Sequence, residues 1–183
     1  MSSFVNQLFK GLMGYHQELD TIIKSFDTLD EGLDQYYEQL RDFQRSLGPH
    51  KANIADTMIR TRGNERPPQA KEWGKALKGH LPLLDLLDKQ VKVIPEGLFR
   101  ILETAEDALG RVETFHGLIP NLQREGKEDD VEDARAMLGP EFKRRQDKIK
   151  EREAQIGNRL VTLKKDIGEV RSEIKGLIEW LKL

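Results

Sequence analysis

Apolar side chains recur along the first fifty residues at alternating steps of three and four: Val5, Leu8, Leu12, Tyr15, Leu19, Ile22, Phe26, Leu29, Leu33, Tyr36, Leu40, Phe43 and Leu47. Such a row keeps one stripe of a helix against a partner helix, whereas a strand would need strict alternation. The residues between are mostly Asp, Glu, Lys, Gln and Ser, so the opposite face is wet. A helix of about 45 residues would be a rod of roughly 65 Å. Gly48-Pro49 is expected to end it, because proline lacks a backbone donor and disfavours helix in the residue before it. Phe9, Ile23 and Tyr37 lie beside the main row and widen the stripe enough to touch two neighbours.

The C-terminal segment repeats the pattern with Phe142, Ile149, Ile156, Leu160, Leu163, Ile167, Val170, Ile174, Leu177 and Leu181, interrupted only by Gln146 and Glu153. Pro140 after Gly139 suits a first helical residue, where a missing N–H costs nothing. Between these segments Leu77, Leu81, Leu84, Val91, Leu98, Leu102, Ala105, Leu109, Val112 and Ile119 keep the step, while Asp88, Pro95 and His116 break it. Pro82 and Pro95 are expected to bend or divide this middle helix.

The pattern therefore predicts an all-α fold: one elongated antiparallel three-helix bundle or coiled coil over residues 1–183, with helices near 3–47, 69–118 and 140–182. The two connections are expected to hold short helices near 51–60 and 128–138. A bundle three helices thick has a thin core. It leaves a face with Phe4, Met13, Val161 and Ile178 for a second copy, so a homo-oligomer, with a dimer favoured, is expected.

Composition agrees with long solvated helices: 34% of the 183 residues are charged against 37% hydrophobic, and only 7% are aromatic. The absence of cysteine excludes disulfides, thiolate metal sites and a cysteine nucleophile. The start "MSSFVNQLFKGLMGYHQ" has no signal-peptide pattern, and no apolar run approaches the roughly 20 residues needed to span a bilayer. A cytoplasmic protein is expected, able to meet a membrane only at its surface. The net charge of −2 gives no whole-chain attraction to nucleic acid or anionic lipid. Blocks of opposite sign alternate, however: 1–50 and 81–140 are acidic, 51–80 and 141–183 basic, as neighbouring helices that pair across their flanks require.

Candidate chemistry is sparse. His16, His50, His80 and His116 are scattered, with no pair at metal-ligand spacing. "ETFH" (113–116) matches a Glu-x-x-His half-motif of di-iron bundles, but a second copy and two further inward glutamates are missing, so His116 is read as a seam residue. "EWGKALKG" lacks the upstream glycine and the Ser or Thr of a phosphate loop, leaving Trp73 as a packing anchor beside Pro67-Pro68. The acidic run at Glu128, Asp129, Asp130, Glu132 and Asp133 lacks the spacing and central glycine of a calcium loop. No Ser or Thr joins a histidine in a nucleophile motif. Neither an enzyme nor a cofactor is expected, and no catalytic or metal-binding residue is assigned.

Two segments are candidate binding sites. "KRRQDKIKER" (143–152) could grip the phosphates of anionic lipid or nucleic acid through Lys143, Arg144, Arg145 and Lys148, or could pair with acidic helix flanks, the 125–133 connection among them. Aromatic interleaving is absent, which disfavours nucleic acid. Phe4, Leu8, Phe9 and Met13 form an amphipathic turn suited to interfacial insertion or an oligomer contact. The leading expectation is a non-enzymatic interaction or scaffold protein that self-associates and binds protein partners through helix faces. The alternative is a peripheral membrane protein. Three long helices with a proline-bent middle, an amphipathic start and dimerisation resemble in architecture the BAR-type curvature modules, which implies dimeric binding or curving of anionic membranes.

Overall fold

Among the described residues four helices make up the fold: α1 (Ser3–Arg60), α2 (Ala70–Val91), α3 (Val93–Arg124) and α4 (Glu128–Lys182). The computed structural model describes residues 3–63, 66–124 and 128–182, without the side chains of 3–6, 8, 9, 121–123, 128–131 and 133–138. Among the described residues there is no strand. The chain is an all-α bundle.

The heptad rows are the core. Leu12, Leu19, Phe26, Leu33, Leu40 and Leu47 of α1 are buried, as are Ile149, Ile156, Leu163, Ile167 and Ile174 of α4. Leu77, Leu84, Leu87 and Val91 of α2 and Ala105, Ala108 and Val112 of α3 complete the seams. Each fully buried aliphatic side chain contributes about 1.5–3 kcal/mol.

Both outer helices are longer than the sequence pattern predicts, and the prolines explain why. α1 runs through Gly48-Pro49 to Arg60, absorbing the expected short helix 51–60, and α4 begins at Glu128 rather than at Pro140. The four prolines inside helices, Pro49, Pro82, Pro120 and Pro140, are all exposed. A ring on the wet face leaves the core seam undisturbed, and the acceptor four residues earlier can turn to water. Beyond Pro49 the row continues with Ile54, fully buried, and Thr57. That burial offsets a proline penalty of about 3 kcal/mol.

Pro95 is the exception. It is half-buried, and the residue four before it, Val91, is completely buried. Here the ring would strike a carbonyl inside the core, and the middle helix divides, with Lys92 between α2 and α3. The Lys92 N–H donates to the carbonyl of Lys89 at 3.2 Å, a tightened last turn.

The chain forms two compact units: residues 1–30 with 95–157, and residues 31–94 with 158–183. In the first unit Asp20 meets Arg145 and Asp27 meets Arg152, both pairs 125 residues apart. Against α3, Gly11 and Tyr15 lie at Phe115, while Leu29 lies at Gly97. Gly97 is needed there, since a Cβ would stand 2.8 Å from Leu29 Cδ2.

In the second unit Asp34 meets Arg159, again 125 residues apart, and Lys51 meets Glu173. The Tyr37 hydroxyl donates to the Arg159 carbonyl at 2.9 Å. Phe43 packs on His80, and Ile94 lies over Gly32. Arg171 of α4 pairs with Asp85 of α2 at 2.9 Å.

One expected free position is corrected. Ile178 is buried, and Leu177 beside it is half-buried, because a straight helix drifts away from a strict seven-residue repeat. Met13 and Val161 are exposed as the pattern predicts, and Phe4 lies outside the described side chains.

Candidate interaction site

Two arginines of the basic cluster at the start of the α4 heptads, Arg145 and Arg152, tie α4 to α1. Arg145, whose side chain is only 11% exposed, grips Asp20 of α1 with two bonds, Nε to Oδ1 at 2.9 Å and Nη2 to Oδ2 at 3.1 Å. Its Nη1 donates to a Glu141 carboxylate oxygen at 3.0 Å and to the Glu141 carbonyl at 3.1 Å. Arg144 pairs with Glu141 at 3.1 Å, and the two arginines hold that carboxyl below the usual carboxylate range. One heptad on, Arg152 reaches Asp27 at 2.7 Å and Asp30 at 2.6 Å. Lys148 meets Glu151 at 3.3 Å, and Lys143 is exposed.

The aspartates on α1 repeat with the seam, and so do the arginines on α4, so helix pairing matches charge to charge. Sequence reasoning expected self-neutralisation by acidic helix flanks, the 125–133 connection among them; the described partners include the α1 aspartates, and nearly all of 125–133 lies outside the described side chains. Of the proposed N-terminal contacts, Met13 is exposed, while the side chains of Phe4, Leu8 and Phe9 lie outside the described residues.

The scattered histidines come together in two pairs. In the first unit His16 and His116 stack with centroids 6.4 Å apart, and His116 also packs on Phe142 at 5.2 Å. Nε2 of each is buried without a hydrogen-bond partner. Burial pushes both imidazoles below the ordinary 6.5; for His16 the nearby Arg145 and then His116 act in the same direction, against Asp20 and Glu141. In the second unit His50 and His80 meet edge to face at 5.9 Å, and His80 Nδ1 lies 2.8 Å from the Ala76 carbonyl. Among the described residues no group of three or more His, Cys, Asp or Glu is placed to hold a metal ion.

Pro67 and Pro68 form a wall between two cavities of the second unit. One, of about 520 Å³, is lined by Thr57, Arg60, Thr61, Arg66 and Trp73 among others. Its hydroxyls serve their own helix: Thr57 donates to the Asn53 carbonyl and Thr61 to the Thr57 carbonyl, each at 2.9 Å. Arg60 is paired with Asp56 at 2.7 Å, and the Arg66 guanidinium lies 4.4 Å from the centre of the Trp180 ring. Positive φ at Arg62 and Gly63 turns the chain out of α1 toward this wall. Asp56, which also lines this cavity, is the carboxylate that Arg60 holds.

The other cavity, of about 570 Å³, has Ala70, Ile178 and Leu181 in its floor and Lys71, Lys75, Lys78 and Lys182 around it. Sequence reading missed these lysines by testing the segment only as a phosphate loop. Their spacing of four and three along "KEWGKALK" was the available signal, since it places three ammonium groups on one helix face.

Large apolar side chains also stand uncovered on this unit. Leu83 and Leu86 of α2 and Val93, the first residue of α3, are 58%, 52% and 53% exposed, at successive steps of three and seven.

No described helix is long and apolar enough to cross a membrane. No protein-family model matches the chain, and neither curated proteins nor solved structures gave a significant match.

Proposed function

We propose that this chain is a non-enzymatic helical interaction protein that self-associates, as a dimer, and binds protein partners through exposed helix faces. The observation that carries the reading is the stripe Leu83, Leu86 and Val93. Leu83 and Leu86 share one face of α2 without a partner, and Val93 stands exposed just past the division at Lys92. Several polar groups are engaged within the fold: Arg145 and Arg152 pair with aspartates, the Thr57 hydroxyl donates to a carbonyl of its own helix, and His16 stacks on His116.

The same residue pairs support an up-down-up arrangement within each unit. Pairs between α1 and α4 rise together in number, whereas pairs between α1 and α2 or α3 run in opposite senses. Short, direct helix returns of this kind are the usual solution for three amphipathic helices. Solvent-facing Pro82 and the division at Pro95 are the positions where the middle helix bends in this reading.

Sedimentation velocity on the full chain tests self-association. A dimer is expected at micromolar concentration, shifting toward monomer in the Leu83→Ser, Leu86→Ser double variant. A wild-type monomer at tens of micromolar overturns dimerisation.

The alternative, a peripheral protein that binds anionic membranes, draws on Lys143, Arg144 and Lys148, which are exposed although Arg145 is taken up by Asp20, and on the exposed lysine row of α2. Co-sedimentation with phosphatidylserine vesicles at low salt tests it, and failure to pellet removes it.

A further inference from the structure

We infer that the lysine-rimmed groove between α2 and the end of α4 in the second unit docks an acidic amphipathic helix of a partner protein. The inference rests on the protein-interaction reading and names the chemistry of that partner.

The charge around the groove is one-sided. Lys71, Lys75 and Lys78 line it from α2, and Lys182 lines it from α4. No carboxylate lines it. Lys182 has only a long pair with Glu179, at 3.9 Å, while the three α2 lysines form no ion pair with any described residue. Elsewhere four arginines of α4 reach aspartates of other helices: Arg145 meets Asp20, Arg152 Asp27, Arg159 Asp34 and Arg171 Asp85. Lining a groove without a carboxylate, the α2 row has an anion from outside as its available partner.

The floor selects the kind of anion. Ala70, Ile178 and Leu181 are buried, each less than 10% exposed, so they cannot reach out into a bilayer. A protruding side chain from the partner must come to them. Gly74 lines the groove, and a Cβ there would stand in ordinary contact with Leu181 Cδ1, at 3.9 Å, so a larger side chain at this position would enter the groove. Pro67 and Pro68 form its rigid wall, which lowers the ordering cost of binding. A helix with leucines on one face and glutamates on its flanks satisfies both parts: the leucine enters the groove, and the glutamates reach lysines set one turn apart.

Fluorescence anisotropy tests this with the full chain and a labelled amphipathic peptide carrying leucines on one face and glutamates on the other. Binding is expected to weaken at least tenfold in Lys71→Glu, Lys75→Glu, Lys78→Glu, whose side chains are exposed and should leave folding intact. Gly74→Leu, which fills the groove, should weaken it comparably with little change in salt dependence, and Lys143→Glu with Lys148→Glu should leave it unchanged. Three results overturn the inference: no peptide binding, undiminished binding in the triple variant, or capture of phosphatidylserine vesicles while the peptide is ignored. A chain that sediments as a dimer yet ignores the peptide sinks this docking site alone. One that neither dimerises nor binds the peptide sinks the interaction reading as well.

Discussion

Arg145 and Asp20 lie 125 residues apart in the chain and face each other as a fork of two bonds, at 2.9 and 3.1 Å. The guanidinium is nearly buried and the carboxylate is not, so the pair sits at the edge of the seam between α1 and α4. Removing Asp20 would leave a desolvated cation supported only by Glu141. Asp20→Asn is therefore expected to cost about 2 kcal/mol in chemical denaturation, less than a fully buried pair because half of the interaction is wetted. Lys148→Ala, which loses only an exposed pair with Glu151, should change stability by less than about 0.5 kcal/mol.

The His16–His116 stack makes stability pH-dependent. Both imidazoles titrate below the ordinary 6.5 in the folded chain, so the unfolded chain binds more protons as pH falls. Their contribution is fully present above about pH 6.5 and is lost as pH falls through the lower folded values. The midpoint of urea unfolding should drop between pH 7.5 and 5. His116→Phe should flatten that dependence, and an unchanged slope would contradict the role of the stack.

Pro49 and Pro82 interrupt exposed helix faces without touching the core. Pro82→Ala should raise stability by about 1–3 kcal/mol, read as a higher melting temperature, because it restores a helix donor.

Two glycines of α3 should respond in opposite directions. At Gly110 an added Cβ meets nothing within 4 Å, and Gly110→Ala is expected to stabilise by about 0.5–1 kcal/mol. At Gly97 the same carbon would stand 2.8 Å from the buried Leu29, and Gly97→Ala should cost about 1–2 kcal/mol. Equal effects in thermal melts would contradict the close approach of α1 and α3.

Much of the bundle was legible because hydrophobic period is a local property. Leu19, Phe26 and Leu33, read from spacing alone, are fully buried. Proline effects were legible only in part, the division near Pro95 but not the continuity through Pro49, because a helix break depends on which way the ring faces. Pro49 is off the apolar row and is tolerated, whereas Pro95 turns toward the core and divides the helix. Pairing of the histidines was invisible for a different reason: His16 and His116 are brought together by the packing of α1 on α3, which no short spacing encodes. The basic cluster was visible as charge, but its neutralisation by Asp20 and Asp27 depends on helix register. The α2 lysines stand out only once the fold is seen to set them, with Lys182, around one groove that no carboxylate lines.

Hydrogen–deuterium exchange on the full chain, followed as concentration rises from the nanomolar to the micromolar range, tests most directly where the chain meets a second copy. Amides of residues 80–94 are expected to gain protection with concentration, while those of 143–152, already held by α1, stay unchanged. Protection that never depends on concentration, or that rises at 143–152 instead, would contradict the assignment of the exposed α2 face as the interaction surface.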